Sequence, residues 1–305
     1  MQDTESSLPQ EDNSRRVWVE VAVNGPWGAD RQPGIPVREQ DIIQQSIDCV
    51  NAGAAIVHVH AYDETTGRQR DEWERYARII EGVRSRVDAI VYPTIPFSGD
   101  RDAGGPLTAQ ARYAHVAELG KRGLLEWAVV DPGSTHITHW DQLQRDEHGF
   151  VYANPEDHIR LALSMARQYH FHPAYAIYEP GFLRMGAGLH WRSGCPQPVY
   201  RFMFSTDYGF GFPPEDFALT AYLHMIDRFA PGAHWMVGGL GVDVLPLVTR
   251  AVLEGGHVRV GLEDAPFGCG RSNVELVEDA VGRVVQAGAE PARAPHVREA
   301  LRQEA

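Results

Sequence analysis

The sequence has 305 residues, 43% of them hydrophobic, and carries a formal net charge of −13 at pH 7. This length suits one large domain with a substantial buried core, and it is common for single α/β barrels. The negative charge argues against nucleic acid or an anionic membrane as a partner, and no apolar run is long enough for a transmembrane helix.

The chain reads as one domain after a short polar arm. Residues 1–16 lack the apolar segment of a secretory signal, so we predict a flexible N-terminal arm. Residues 17–305 contain no repeat or proline-rich linker, which predicts a single domain. The three cysteines, Cys49, Cys195 and Cys269, form no Cys-x-x-Cys motif, a pattern typical of a reducing compartment. We therefore expect a cytoplasmic protein.

Short apolar runs alternate with longer stretches of helical period. The predicted strands are Val17–Val23, Ile56–His60, Ala89–Tyr92, Trp127–Val130, Ala174–Tyr178, Tyr200–Phe204, Trp235–Gly238 and Val258–Gly261. The predicted helices are Arg38–Ala52, Asp71–Arg86, Thr108–Lys121, Pro155–Tyr169, Pro214–Arg228, Val242–Glu254 and Asn273–Ala287. The segment 181–193, between the fifth and sixth strands, contains three glycines, and a regular helix is least supported there.

Eight strands with intervening helices predict an α/β fold, the (β/α)8 TIM barrel. The alternative is an open doubly wound sheet. The first strand is followed by Asn-Gly-Pro-Trp-Gly rather than by the Gly-x-Gly-x-x-Gly motif typical of that fold, which favours the barrel.

The tripeptide His58-Val59-His60 closes the second predicted strand. Because alternate residues on a strand point to the same face, His58 and His60 project together. Two imidazoles that converge at a strand end form half of a divalent metal site, with zinc as the first candidate. The alternative is a pair of histidines that bind no metal.

Polar residues follow the ends of successive strands, which is the edge where the active sites of such barrels lie. Asn24, Thr94 and Asp131 follow strands one, three and four, and they are candidate substrate-binding residues. Glu179 follows strand five. It is a candidate catalytic or substrate-contacting residue, with a buried structural carboxylate as the alternative.

Glu263 lies just past the last predicted strand, which neighbours strand one in a closed barrel. Its carboxylate can therefore reach over the barrel mouth towards the two histidines. Two histidines and one glutamate leave a coordination position free for water or substrate, as in catalytic zinc sites. Arg259 and Asp264 would then supply a cation and a possible base beside the metal.

Four stretches of the chain resemble the β-keto acid cleavage enzyme family, whose best-known member is 3-keto-5-aminohexanoate cleavage enzyme. They are residues 23–25, residues 53–60, residues 178–181, and residues 256–264 with the downstream Ser272-Asn273. They follow the order of the family over nearly the whole chain, and the last stretch is the most specific.

The resemblance implies a TIM barrel, usually tetrameric, in which His58, His60 and Glu263 hold zinc or another divalent transition metal. It implies that a small β-keto acid binds the metal through its keto and carboxylate oxygens. Asp264 and Arg259 then help to generate an enolate-like nucleophile that attacks the thioester of acetyl-CoA. A retro-Claisen cleavage gives acetoacetate and a new CoA thioester.

The chain departs from the family pattern around this site. Tyr62 stands where an arginine usually follows the second histidine, Pro93 replaces a serine, and Asp131 replaces an asparagine. Tyr62 is therefore a further candidate substrate-binding residue. The loss of a cation and the added carboxylate favour a substrate with a cationic or neutral group over a dicarboxylate. Two alternatives stay open: a metal-dependent hydrolase or lyase that does not use CoA, and a non-catalytic metal- or metabolite-binding barrel.

Overall fold

The computed structural model describes residues 15–97 and 107–303, so residues 1–14 of the predicted arm lie outside the described residues. Eight parallel strands form one sheet: β1 Val19–Ala22, β2 Ile56–Val59, β3 Ile90–Pro93, β4 Trp127–Val129, β5 His172–Ile177, β6 Val199–Phe204, β7 Trp235–Gly239 and β8 His257–Val260. Hydrogen bonds join them in the order β3-β2-β1-β8-β7-β6-β5-β4. The end strands β3 and β4 also contact each other. The sheet is therefore a nearly closed barrel, which confirms the predicted (β/α)8 fold.

Helices surround the barrel and cover its strands. They are α1 Glu39–Ala52, α2 Trp73–Arg84, α3 Ala109–Arg112, α4 Ala114–Lys121, α5 Trp140–Gln144, α6 Glu156–Tyr169, α7 Pro180–Ser193, α8 Asp216–Phe229, α9 Leu245–Leu253, α10 Asn273–Gln286 and α11 Ala294–Gln303. The predicted helix 108–121 is two helices that meet at Tyr113, and the short α5 and the terminal α11 were not predicted. None of the described helices is long and apolar enough to cross a membrane.

A regular helix, α7, fills the segment where the glycines argued against one. Pro180 occupies its first turn, where a missing N–H costs nothing, and Gly194 ends it in a left-handed conformation. Gly186 allows a close approach to the barrel, because a Cβ there would lie 2.7 Å from the ring of Tyr175. The structure thus has a regular helix where the sequence supported one least, since packing against β5 outweighs the low helix propensity of glycine.

Two hairpins rise from the ends of the strands. One pairs Tyr62–Asp63 with Arg68–Gln69 directly after β2, and the other pairs Thr135–Ile137 with Phe150–Tyr152 after β4. Elsewhere, Arg16–Val17 pairs in parallel with Glu290–Pro291, so Arg16 of the predicted arm is part of a small sheet. His257 begins β8. Its ring stacks on that of Trp18, with 4.0 Å between the ring centres, and its Nδ1 accepts a hydrogen bond from the backbone N–H of Trp18.

The barrel interior is not wholly apolar. Glu20 of β1 lies opposite Arg259 of β8 in the strand register, and both are buried. Arg201 of β6 is buried as well. Since buried charges in proteins are paired, these side chains indicate an ionic cluster below the mouth of the barrel.

Candidate active site

The side chains of His58, His60 and Glu263 converge at the mouth of the barrel. His58 Nε2 lies 3.6 Å from Glu263 Oε2, and His60 Nε2 lies 3.3 Å from Glu263 Oε1. One ligand atom from each of the three residues falls within 4.8 Å of the others. Strand alternation places the histidines together, and the pairing of β8 with β1 brings Glu263 beside them.

The protonation of these residues fits a divalent metal. His60 Nδ1 lies 2.8 Å from Gln69 Oε1, and because an amide oxygen only accepts, Nδ1 carries the hydrogen. In the neutral ring the lone pair is then on Nε2, the nitrogen that faces Glu263. Burial lowers the pKa of His58 well below its usual value, although Glu263 acts in the opposite direction, so His58 is neutral. Within the described chain, His60 Nε2 and Glu263 Oε2 are buried without a hydrogen-bond partner, as expected for atoms that hold a metal.

Asn24 holds the backbone of His60 in place. Its Nδ2 donates to the carbonyl oxygen of His60 at 2.9 Å, and its Oδ1 accepts from the N–H of His60 at 2.9 Å. The same Nδ2 donates to the carbonyl oxygen of Pro36 at 3.0 Å. Asn24 is fully buried, so it positions a metal-ligand candidate from behind.

The next residue, Gly25, has a backbone φ of +66°, and a Cβ there would lie 2.7 Å from Glu263 Cγ. The Asn-Gly pair therefore shapes the site from both sides: one residue fixes His60 and the other makes room for Glu263.

Arg259 is saturated by carboxylates. Its Nε and Nη2 donate to the two oxygens of Asp264 at 2.8 Å, and Nη1 donates to Glu20 Oε1 at 2.9 Å. Nη2 also lies 3.2 Å from Glu263 Oε1. Burial raises the pKa of Asp264 to about 6, although the paired Arg259 guanidinium acts in the opposite direction. Asp264 is thus ionised at neutral pH and basic enough to take up a proton once it is released from Arg259.

Arg201 is the main feature of the site that the sequence analysis missed. Its nearest partners are neutral: Nη1 donates to the hydroxyl of Tyr92 at 3.0 Å, and Nη2 donates to the carbonyl oxygen of Ala174 at 3.0 Å. Carboxylate oxygens of Glu20 and Asp131 are farther, at 3.8 Å each. Arg201 Nε is buried and finds no partner among the residues that the structure describes. The available signal was an arginine inside an otherwise apolar strand, Val-Tyr-Arg-Phe-Met-Phe.

A cavity lies above these groups, and its wall combines charged and aromatic side chains. Six predicted site residues line it, together with Arg201: His58, His60, Thr94, Asp131, Arg259 and Glu263. Asp131 is buried in the wall, where Oδ2 accepts from the hydroxyl of Tyr152 at 2.6 Å and Oδ1 accepts from the N–H of Ala176 at 3.0 Å.

The other four predicted site residues are not part of this wall. Asp264 is covered by Arg259, and Asn24 supports His60 as described above. Tyr62 is fully buried, and its hydroxyl donates to the carbonyl oxygen of Gly25. Glu179 precedes α7 and accepts a hydrogen bond from the hydroxyl of Thr135 at 2.9 Å. In this conformation, Asp264 and Asn24 hold residues of the cavity wall, whereas Tyr62 and Glu179 bind Gly25 and Thr135, which are not part of that wall.

The chain is similar in sequence and fold to several known proteins. The sequence profile of the family described as beta-keto acid cleavage enzyme matches residues 16–302. A 3-dehydrocarnitine:acetyl-CoA trimethylamine transferase of Rhizobium meliloti is 27% identical, over 95% of this chain and 97% of the relative. A 3-oxoadipate:acetyl-CoA acetyltransferase of Cupriavidus necator is 25% identical, over 81% of this chain and 79% of the relative. The solved binary complex of ObcA with oxaloacetate has a similar fold, with a TM-score of 0.67 and 16% identity over 88% of this chain and 67% of that chain.

Proposed function

As the chain belongs to the beta-keto acid cleavage enzyme family, we propose that it cleaves a small β-keto acid with acetyl-CoA as the second substrate. The products are acetoacetate and a new CoA thioester. The observation that carries this proposal is the cavity in which a His-His-Glu cluster and two arginines face the same space. The two relatives act, by their names, on different oxo acids, so the family leaves the substrate open.

We propose that His58, His60 and Glu263 hold a single zinc ion, with another divalent transition metal as the alternative. Bound there, the ion would act as a Lewis acid towards the oxygens of the β-keto acid. Metal analysis by mass spectrometry should find one ion per chain. The double variant His58→Ala, His60→Ala should lose the ion while the barrel still folds, and full retention would disprove this assignment.

Arg259 and Asp264 are proposed to act together on the substrate. Both oxygens of Asp264 are bound by Arg259, so the pair must open before Asp264 can accept a proton. When the substrate carboxylate replaces Asp264 on the guanidinium, Asp264 is released as a base for the carbon between the keto and carboxylate groups. A guanidinium holds a carboxylate through two parallel hydrogen bonds, a geometry that lysine does not reproduce.

The rest of the reaction balances without a further reactant. The carbon nucleophile forms a bond to the acetyl carbonyl carbon, and the CoA thiolate leaves. The thiolate then attacks the original keto carbon, and the bond to the neighbouring carbon breaks. The proton taken up at the start returns to the acetoacetate that departs.

Thr94 and Asp131 lie on the cavity wall and are proposed to contact the substrate. Asn24, Tyr62 and Glu179 are proposed to act through the residues to which they are hydrogen-bonded.

The decisive experiment incubates the zinc-loaded enzyme with a panel of β-keto acids, with and without acetyl-CoA, and follows acetoacetate and the new thioester. Turnover should require the thioester. Turnover that never needs it would overturn this proposal in favour of a hydrolase or lyase on the same barrel. Tight binding of a β-keto acid with no turnover would favour a non-catalytic binding barrel.

Two variants test the roles assigned to the catalytic pair. Arg259→Lys should lose most of the activity with zinc still bound, and Asp264→Asn should keep the shape of the site but lack the base. Wild-type turnover by Asp264→Asn would remove Asp264 from the mechanism.

We further propose that the protein is a cytoplasmic homotetramer. Light scattering of the purified protein tests the oligomeric state.

A further inference from the structure

The cavity has a charged end and an aromatic end. Arg201 and Arg259 project from within the strands β6 and β8, so they lie at the inner end of the cavity. The aromatic side chains come from segments beyond the strand ends, and they therefore lie towards the mouth: Phe97, Phe150, Tyr152 and Tyr178. A substrate that fills the cavity meets both ends.

Three contacts connect the four aromatic rings, and each contact is nearly perpendicular. Phe97 lies 5.7 Å from Phe150 and 5.4 Å from Tyr152, with interplanar angles of 81° and 79°. Tyr152 lies 5.9 Å from Tyr178 at 81°. In each of these pairs at least one ring presents its edge to the other, so both faces of that ring stay clear of that neighbour. Aromatic faces around a shared space are what binds a quaternary ammonium group, at roughly 6 Å from the ring centres.

One charged group beside these rings, the carboxylate of Asp131, favours a cation. The hydroxyl of Tyr152 donates to the buried carboxylate of Asp131, which places a negative charge beside the ring. Arg201 Nη2 lies 3.8 Å from Asp131 Oδ1, at the inner end of the cavity. Arg112 lies 5.4 Å from the centre of the Tyr152 ring but is not part of the cavity wall, so this ring already accepts one cation from outside.

The hydrogen bonds of this end distinguish between kinds of cation. A primary ammonium needs acceptors for three N–H groups, and it is costly to bury without them. The Asp131 carboxylate offers about four acceptor sites, and Tyr152 and Ala176 already occupy two of them, so it cannot satisfy three N–H groups by itself. A quaternary ammonium has no N–H group and needs only the ring faces and a nearby negative charge.

We propose that the β-keto acid cleaved here carries a quaternary ammonium group at the end away from its carboxylate. The substrate is then a zwitterion, with its carboxylate at the arginine end and its alkylated nitrogen among Phe97, Phe150, Tyr152 and Tyr178. This inference rests on the proposed function and adds the class of substrate to it.

Three β-keto acids of similar length test this inference in the zinc-loaded enzyme with acetyl-CoA. One ends in a trimethylammonium group, the second in a tert-butyl group of the same shape without the charge, and the third in a carboxylate. We expect kcat/KM for the trimethylammonium acid to exceed that for the tert-butyl acid by about tenfold or more, as cation–π attraction in a desolvated site allows. Equal values, or a preference for the dicarboxylate, would overturn the inference and leave the proposed function standing.

Substitutions of the aromatic residues provide a second test of this inference. Phe97→Leu with Phe150→Leu keeps the wall apolar but removes two ring faces, so the preference for the cation should shrink while the tert-butyl acid is still cleaved. Ile137→Leu changes the same wall without removing a ring and should keep the preference. An unchanged preference in the leucine double variant would contradict the aromatic subsite.

Calorimetric binding separates the failure of this inference from failure of the proposed function. If no β-keto acid is cleaved, tight binding of the trimethylammonium acid over the tert-butyl acid would still support the ammonium subsite. Equal binding of the two acids would rule it out.

Discussion

Asn24→Ala should damage both the stability of the barrel and its affinity for metal. The substitution removes three buried hydrogen bonds and leaves the N–H and carbonyl oxygen of His60 and the carbonyl oxygen of Pro36 without their partner. At about 0.5–1.5 kcal/mol for each bond, with more for buried groups left unsatisfied, the free energy of unfolding should fall by roughly 2–4 kcal/mol. Because the backbone of His60 is then free to shift, zinc affinity should fall about 10- to 100-fold, as for other residues that orient a ligand.

Two measurements check this prediction separately. Urea denaturation of the metal-free protein gives the change in the free energy of unfolding. Competition with a chromophoric chelator gives the zinc affinity. Asn154→Ala is the matched control, because Asn154 is also buried and its Nδ2 donates to the carbonyl oxygen of Gly133 at 2.7 Å, away from the ligand cluster. The control should lose stability but keep its zinc affinity.

The reasoning would be refuted if Asn24→Ala bound zinc as tightly as the wild-type protein. A loss of affinity in Asn154→Ala of the same size would also count against it, since the effect would then follow from general destabilisation rather than from the position of His60.

Three further perturbations follow from the structure. Gln69→Ala removes the acceptor that fixes the tautomer of His60, so zinc affinity should fall about tenfold by chelator competition with little change in stability. Gly261→Ala should leave little soluble folded protein, because φ is +136° and its Cβ would lie 2.1 Å from the carbonyl oxygen of Ala22. Burial, with a contribution from His172, lowers the pKa of His234 from 6.5 to about 4, so the unfolded chain takes up a proton that the folded chain does not. Stability should therefore fall by up to about 3 kcal/mol as the pH drops from 6.5 to 4, and His234→Gln should reduce that fall in urea titrations.

The sequence was sufficient to predict the barrel and the convergence of His58, His60 and Glu263. Apolar runs mark all eight strands, because strands covered on both faces are nearly continuous in hydrophobic residues. The two-residue period of β2 and the closure of β8 against β1 together imply that His58, His60 and Glu263 meet. These are local or topological rules, and they need no knowledge of side-chain packing.

The remaining features depend on packing that the sequence does not encode locally. Glu20 and Arg201 lie inside apolar strands, and their significance is visible only once Tyr92 of β3 connects them through its hydroxyl. Tyr62 follows the second histidine by two residues, yet the chain turns into a hairpin there and carries its hydroxyl to Gly25. A residue that is close in sequence to a candidate metal-binding histidine therefore need not reach the cavity.

The buried charges of the site give an independent argument for a divalent cation and for the charge of the substrate. Ion pairs between 2.8 and 3.8 Å connect two guanidinium groups with four carboxylates: Arg201, Arg259, Glu20, Asp131, Glu263 and Asp264. The cluster thus carries two uncompensated negative charges, which are costly to bury. A doubly charged cation among His58, His60 and Glu263 would neutralise them. A substrate that carries a carboxylate and a quaternary ammonium group has no net charge, so it would enter the cavity without disturbing that balance, whereas a dicarboxylate would add two negative charges to it.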